Sequence, residues 1–258
     1  MAMAGAMTNK SKGPRSASII IVGDEILCGR TADTNSHWIA KRLYEQGIYV
    51  RYIVTIPDVE EEIAHTVRDF SREHDYVVVT GGIGPTPDDV TRQAVAVAFD
   101  RQLIINPEAE RIIRNRYKEN VNPYRLAMAR LPEGSELIQN RSFAAPGFRL
   151  ENVFVFPGVP QLMQQMFDQI LPSLETGQFF ERKIPAHLPE SEFSHILYSL
   201  PNLPDVSVGS YPTMHDDGKW TVAVVVSGSR GDIVDEVARQ VETQLRELER
   251  SKGIDGPS

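Results

Sequence analysis

Cysteine is all but missing from this chain: Cys28 is the only one in 258 residues. With a single thiol no intramolecular disulfide can form and no cysteine metal cluster can be built, which fits a reducing cytoplasm. Long apolar runs are missing as well. No stretch approaches the roughly 18–20 residues that span a bilayer, so no membrane partner is expected. Residues Met1 to Ser16 are small, polar and basic and lack an apolar h-region, so they read as a loose tail and not as a secretory signal. Residues 251–258 read the same way. Positive charge is the scarcer sign: 27 Lys and Arg face 35 Asp and Glu, a net charge of −8. That balance argues against nucleic acid or an anionic surface as a partner. The six histidines are scattered without metal-ligand spacing, and the chain carries no internal repeat and no low-complexity block.

What is present is ordinary globular composition, 41% hydrophobic and 24% charged, enough for a sizeable core. Ser18–Val22 and Tyr49–Thr55 read as strands, as does Tyr76–Val79, an apolar β-branched run suited to burial on both faces. Helical spacing of Trp38, Ile39, Leu43 and Tyr44 follows the first, with Asp33 or Thr34 as cap and Gly47 as stop. Ile63, Val67 and Phe70 mark a helix after the second, opened by Pro57-Asp58. This β-α-β-α-β-α order predicts an α/β fold, a mostly parallel sheet covered on both faces. Leu103–Ile105 is a candidate edge strand, Pro107–Tyr117 a helix, and Asn122–Arg130 an irregular or helical connector. Glu136–Ile138 and Asn152–Phe156 are later strands, and a helix holding Leu162, Met166, Phe167 and Ile170 closes the domain. Domain boundaries fall at 17–175 for this unit and 176–250 for a small C-terminal α+β unit of order β-α-β-β-α. About 70 residues make a marginal core, so the small unit is expected to lean on the first domain or on another subunit. Cys28, Trp38 and Trp220, the Glu60–Glu62 run, His215-Asp216-Asp217, and Arg239, Arg246 and Arg250 take structural readings: an inert thiol, two core aromatics, a solvated helix start, an exposed turn and a solvated helix face.

The chain is organised around Thr80-Gly81-Gly82-Ile83-Gly84-Pro85-Thr86-Pro87-Asp88-Asp89, a strand-to-helix turn. Backbone can approach a ligand closely at such glycines, and a helix N-terminus favours an anion. Ligands of open parallel sheets sit at these strand ends. Asp88 and Asp89 conflict with an anion unless a cation intervenes. Thr86, Pro87 and Asp89 also fit a capping box, and the two readings can coexist. A second loop brings Asp24, Glu25 and Asp33, with Thr34 and Asn35 beside them, toward the same sheet edge. Five carboxylates on converging loops call for a compensating cation, which favours a metal-assisted phosphate site.

Gly23-Asp24-Glu25-Ile26-Leu27, Asp33-Thr34-Asn35, the Thr80–Thr86 run with Asp88-Asp89-Val90-Thr91, Ala145-Pro146-Gly147-Phe148 and Pro157-Gly158-Val159-Pro160 together resemble the N-terminal region of the competence/damage-inducible CinA proteins. The same motifs are similar to the molybdopterin-binding-like domain of eukaryotic FAD synthase. The resemblance covers residues 18–175 and, more loosely, 176–250, where Val208–Pro212 looks like a family element. It implies a three-layer α/β/α domain that binds a pterin or an adenine nucleotide at its strand ends. In the CinA-like branch it implies divalent-metal-dependent (Mg, Mn or Co) cleavage of a pyrophosphate bond, as in ADP-ribose or FAD. Carried over by motif, Asp24 and Asp89 are the catalytic candidates, and Asp24, Asp33, Asp88 and Asp89 the metal ligands. Gly23, Glu25, Thr34, Asn35, Thr80, Gly81, Gly82, Gly84, Pro85, Thr86, Asn122, Arg125 and Gly158 are the binding residues. Asp88-Asp89 stands where adenylyltransferases of this fold usually have Arg-Asp, which disfavours molybdopterin adenylylation. The deamidating domain of full-length CinA proteins and the adenylylating domain of FAD synthase have no counterpart here, so neither activity is expected. Relatives are often oligomeric, which implies a homo-oligomer. A non-catalytic pterin- or nucleotide-binding module, and a structural or regulatory oligomer, stand as alternatives.

Overall fold

Alternation along the central strands decides how the N-terminal unit is layered. Ile20, Val22, Val77, Val79, Val153 and Val155 point to one side, and Ile19, Ile21, Val78, Phe154 and Phe156 to the other. Both sets are buried, so helices must cover both faces. The protein is described by a computed structural model, covering residues 15–139, 146–203, 206–215 and 220–254. Ala145 of the Ala-Pro-Gly-Phe motif, Asp216-Asp217 and the outermost tail residues lie outside the described residues. The chain runs β1 (Arg15–Val22), α1 (Asp24–Leu27), α2 (Asn35–Glu45), β2 (Ile48–Ile56), α3 (Glu60–Glu73), β3 (Tyr76–Thr80), α4 (Thr91–Ala98), β4 (Leu103–Ile105), α5 (Pro107–Tyr117), α6 (Pro123–Ala127), β5 (Arg130–Pro132), β6 (Glu136–Ile138), β7 (Gly147–Leu150), β8 (Val153–Phe156) and α7 (Pro160–Ile170). The main sheet has the order β2-β1-β3-β8-β7-β6. Its first four strands are parallel, and β7 and β6 are antiparallel additions. Ile63 and Val67 of α3, Ala94 and Val95 of α4, and Ala109 and Ile113 of α5 fill one face. Ile39 and Leu43 of α2, with Met163, Met166 and Phe167 of α7, fill the other. The result is the three-layer α/β/α arrangement.

Several local expectations are corrected. Arg15 and Ser16 belong to β1 and not to a tail, because Asp75 holds them: Arg15 Nη1 donates at 2.9 Å and the Ser16 N–H at 2.8 Å. Helix α3 starts at Glu60, two residues after Asp58, so Pro57-Asp58 is a turn of its own. Leu103–Ile105 is not an edge of the main sheet but pairs with β5 in a separate two-stranded ladder. Strand β7, given no element in the sequence reading, forms a hairpin with β8 in which Leu150 faces Val153 across two residues.

From Gly177 onward the chain forms its own compact unit. It comprises β9 (Phe180–Ala186), α8 (Glu190–Tyr198), β10 (Val206–Met214), β11 (Trp220–Gly228) and α9 (Gly231–Ser251). Its antiparallel sheet, ordered β10-β11-β9, packs against the helices through Ile184, Phe193, Val224, Val226, Val237, Val241 and Leu245. Two readings change here. Trp220 is 62% exposed and is not a core residue. Ser251 closes α9, so the helix runs into the expected tail. Among the described residues, no helix is long and apolar enough to cross a membrane.

Candidate functional site

Strand order reverses direction between β1 and β3, since β2 lies on one side of β1 and β3 on the other. A crevice opens at the carboxyl ends of the strands at such a switch point. Here the strand ends are drawn unusually close. A Cβ on Gly81 would lie 2.0 Å from the Val22 carbonyl oxygen, and Gly81 sits at φ +107°, so no other residue fits. The Gly81 N–H donates to the Phe156 carbonyl at 3.1 Å, tying β3 to β8. The Thr80 hydroxyl donates to the Pro157 carbonyl at 3.0 Å. Asn35, at the start of α2, donates from Nδ2 to Thr80 Oγ1 at 3.2 Å and to the Gly158 carbonyl at 2.8 Å.

Over these strand ends lies a hollow of about 680 Å³. Its floor is Val22, Gly81, Gly82, Ile83 and Gly158. Glu25, Asp58, Asp88 and Asp89 supply its acidic side, and Arg125, Tyr117 and Met128 also line it. The Arg125 guanidinium stacks on the Tyr117 ring at 4.1 Å. A recess of about 70 Å³ adjoins it, sharing Val22, Glu25, Thr31, Gly158 and Pro160 and adding Asp33, Thr34, Asn35 and Thr80. A hollow that is mainly apolar with a few polar groups of both signs is the usual form of a small-molecule site.

The glycine loop is held from two sides. Arg92, 5% exposed, donates to the carbonyls of Ile83 and Gly84, the latter at 2.8 Å. Burial lowers its pKa to about 10, against the pull of Asp89, so it remains charged at neutral pH. Asp89 accepts from the Gly84 N–H at 2.6 Å, the Thr86 N–H at 2.8 Å and the Thr86 hydroxyl. Among the described residues, no hydrogen bond of the Gly82 or Ile83 N–H is found.

Measured against the motif, the placement is mixed. Glu25, Gly81, Gly82, Gly84, Pro85, Asp88, Asp89, Arg125 and Gly158 line the hollow. Thr34, Asn35, Thr80 and Asp33 line the recess. Gly23, Asp24, Thr86 and Asn122 line neither. Asn122 is the N-cap of α6, accepting from the Arg125 N–H at 2.9 Å. Asp33 caps α2 through the Ser36 N–H at 3.0 Å. The capping box expected at Thr86–Asp89 is absent, because α4 begins only at Thr91 and the Asp89 carboxylate closes the loop instead. At the start of α4 the Thr91 N–H and hydroxyl bond the carbonyls of Gly82 and Gly81, so the first N–H of the helix is not free for an anion. Asp24, Asp33, Asp88 and Asp89 do not converge as a metal cage. Among the described residues, no three His, Cys, Asp or Glu side chains are placed to hold an ion.

Sequence reasoning missed Asp58 and Tyr117. Asp58 accepts from the Asp24 N–H at 3.0 Å. Burial, and then repulsion from Asp24, Glu25 and Asp88, raises its pKa against that hydrogen bond. Its position after a strand end, behind Pro57, was a usable signal. Tyr117 ends α5 and carried none beyond being aromatic.

Residues 18–176 match the model of the probable molybdopterin binding domain. The chain belongs to this family. Residues 178–251, following the molybdopterin-binding domain, match the middle domain of FAD synthase. A protein of Archaeoglobus fulgidus is 39% identical over 230 residues, spanning 89% of this chain and 97% of its own length. One of Pyrococcus horikoshii is 36% identical over 88% of this chain and 94% of its own. Among solved structures, the protein CinA from Thermoplasma acidophilum, of unknown function, is 34% identical with a TM-score of 0.59. It covers 62% of this chain and 97% of its own length. The Thermoplasma structure agrees with the three-layer fold of the N-terminal unit.

Proposed function

We propose that the hollow binds a nucleotide with a pyrophosphate linkage, such as ADP-ribose or FAD, and hydrolyses it with the help of a divalent cation. The observation that carries this reading is Asp58. Its carboxyl holds its proton more tightly than usual because it is partly buried and stands near the negative charges of Asp24, Glu25 and Asp88. Such a rim is unfavourable empty and favourable around a hard cation. Mg²⁺-like ions take one or two carboxylates and complete their shell with water and substrate phosphate, so no three-residue cage is required. Glu25 and Asp88, which line the hollow beside Asp58, are the carboxylates that would hold such an ion. An ion bound there supplies charge neutralisation and a more acidic water.

The chain's own groups do the rest. Arg125, which lines the hollow with its guanidinium stacked on Tyr117, is the cation that would meet the phosphates. The Gly82 and Ile83 N–H groups stand at the floor to receive a phosphoryl oxygen. Asp58 is the proton acceptor for the attacking water, its raised affinity suiting the task. One water adds across the P–O–P linkage, giving AMP and ribose 5-phosphate from ADP-ribose, or AMP and FMN from FAD. Asp89 and Arg92 act by holding the loop, and Asp24 by orienting Asp58.

Incubation with ADP-ribose or FAD and a panel of Mg²⁺, Mn²⁺ and Co²⁺ tests the proposal. AMP release that requires a metal and is lost in Glu25→Gln is expected; binding without AMP under any of the three ions defeats the catalytic part. A non-catalytic pterin- or nucleotide-binding module is the second reading, favoured by the lack of three gathered carboxylates among the described residues.

A further inference from the structure

The carbonyls of the glycine loop converge on the start of α4. From Gly81 to Gly84 all of them accept hydrogen bonds, and the donors are two adjacent residues. The Thr91 hydroxyl reaches the Gly81 carbonyl at 2.9 Å and the Thr91 N–H reaches the Gly82 carbonyl at 3.0 Å. Arg92 takes the carbonyls of Ile83 and Gly84. In a trans peptide the N–H points opposite to the carbonyl it is joined to, and among the described residues no peptide bond is cis. Drawing these carbonyls toward α4 therefore turns the N–H groups of Gly82, Ile83 and Gly84 away from it. Asp89 accepts the Gly84 N–H. Gly82 is half-buried and lines the hollow, and its N–H has no partner among the described residues.

Thr91 is fully buried and lines neither the hollow nor the recess. Its hydroxyl nevertheless decides how Gly82 is presented. A Cβ on Gly82 would lie 2.2 Å from Thr91 Oγ1, and Gly82 sits at φ +65°. The hydroxyl thus reaches the Gly81 carbonyl only because residue 82 has no side chain. Gly81 is buried, so without the hydroxyl its carbonyl would lack a donor, a penalty that rotation of the Gly81–Gly82 peptide plane relieves. The same rotation carries the Gly82 N–H off its line. We infer that Thr91 is a positioning residue: by holding the Gly81 carbonyl, its hydroxyl aims the Gly82 N–H into the hollow at an anionic oxygen of the ligand. Serine keeps the hydroxyl that does this; valine, of nearly the same shape, does not. The inference rests on the reading of the hollow as a phosphate-binding site and adds the residue that sets one of its donors.

The probe is α,β-methylene-ADP with Mg²⁺, whose bridging carbon resists hydrolysis. Parent protein, Thr91→Val and Thr91→Ser are each titrated by calorimetry and followed in ¹⁵N–¹H correlation spectra, with folding checked by circular dichroism. In the parent, the Gly82 amide proton should move downfield at saturation, as an N–H does on meeting an anionic oxygen. Thr91→Val should bind about tenfold more weakly, the worth of one hydrogen bond to a charged oxygen, and its Gly82 amide should stay in place at saturation. Thr91→Ser should keep both the affinity and the shift. A hydroxyl that only fastened α4 to the loop would lower the stability of Thr91→Val and leave its Gly82 shift as in the parent. That result overturns the inference, and so does a Thr91→Ser protein that behaves like Thr91→Val. Should Thr91→Val not fold, the parent and serine spectra decide: a Gly82 amide that moves in both supports the inference, and one that stays in place overturns it. A parent protein that does not bind the probe overturns both this inference and the reading beneath it.

Discussion

Asp58 shows how a single carboxyl can be poor for the fold and useful to the site. Burial and three like charges raise its pKa. A carboxyl whose folded pKa exceeds its unfolded value leaves stability untouched in acid. It subtracts stability as pH rises from the ordinary aspartate range, about 3.9, through the raised value. We expect Asp58→Asn, measured in metal-free buffer, to melt at a higher temperature than the parent at about pH 7 and at the same temperature below the aspartate range. The amide oxygen of that variant would still accept the Asp24 N–H, so the turn survives. AMP release should fall by roughly 10²–10⁴-fold, the usual worth of a placed proton acceptor. A variant with lower stability at neutral pH would show that the surrounding charge does not strain this site. Asp89 is the contrasting case, a site carboxylate whose work is structural. Asp89→Ala removes the acceptor of two loop N–H groups and should cost about 1–3 kcal/mol in denaturant unfolding. Loss of binding in that variant would follow from a loosened loop and would not identify a catalytic group.

At the scale of elements, the turns at the ends of β1, β3 and β8 decide what the sheet can bind. Gly81 and Gly158 face each other there but differ in what a side chain would meet. A Cβ on Gly81 would overlap the Val22 carbonyl, whereas one on Gly158 meets nothing nearer than the Gly81 Cα at 3.5 Å. We expect Gly81→Ala to destabilise by on the order of 3 kcal/mol or more, combining strain and a backbone clash. Gly158→Ala should unfold within about 1 kcal/mol of the parent, yet bind ADP-ribose more weakly by calorimetry. Equal stability of the two variants would contradict the close approach of β1 and β3. The order of these elements was legible because buried parallel strands are apolar runs and the covering helices keep their 3.6-residue spacing. The family motifs then located the glycine loop, the Asn35 turn and the Pro157-Gly158 turn. Strand β7 was not legible. It has four residues, and its hairpin turns at Glu151 with φ +54°, where glycine, asparagine or aspartate would have signalled it. Asp58 was hidden for a different reason. A helix start was read at Pro57-Asp58, but α3 begins later and frees that side chain to reach Asp24. Motif and spacing report which residues are near in the chain; the partner of Asp58 is 34 residues away.

At the scale of the whole chain, the apolar clusters of the N-terminal unit and that of the C-terminal unit have no residue in common. The C-terminal unit also contains a buried charge of its own. Glu249 is 1% exposed on α9, whose arginines were read as a solvated face. Burial pushes its carboxyl up, but the His187 N–H at 2.8 Å and Arg246 Nη1 at 2.7 Å outweigh this, and its pKa ends below the ordinary value. Arg246 is thus a partner in an ion pair and not a free surface group. A carboxyl lowered in the folded state contributes stability above its unfolded value, about 4.3, and loses it as pH falls through the folded one. Glu249→Gln keeps an acceptor for the His187 N–H and removes the charge facing Arg246. At neutral pH it should cost about 1–3 kcal/mol, the penalty of weakening one charged hydrogen-bonded pair. Hydrogen exchange read by mass spectrometry localises that cost. Faster exchange in β9, α8 and α9, with β1, β3 and β8 as slow as in the parent, is the expected pattern. On lowering the pH, the variant should lose less of its remaining C-terminal protection than the parent, because the group that titrates is gone. Exchange that quickens equally in both units would mean that one cooperative fold spans Gly177, and the separation of the two cores would then have no thermodynamic meaning.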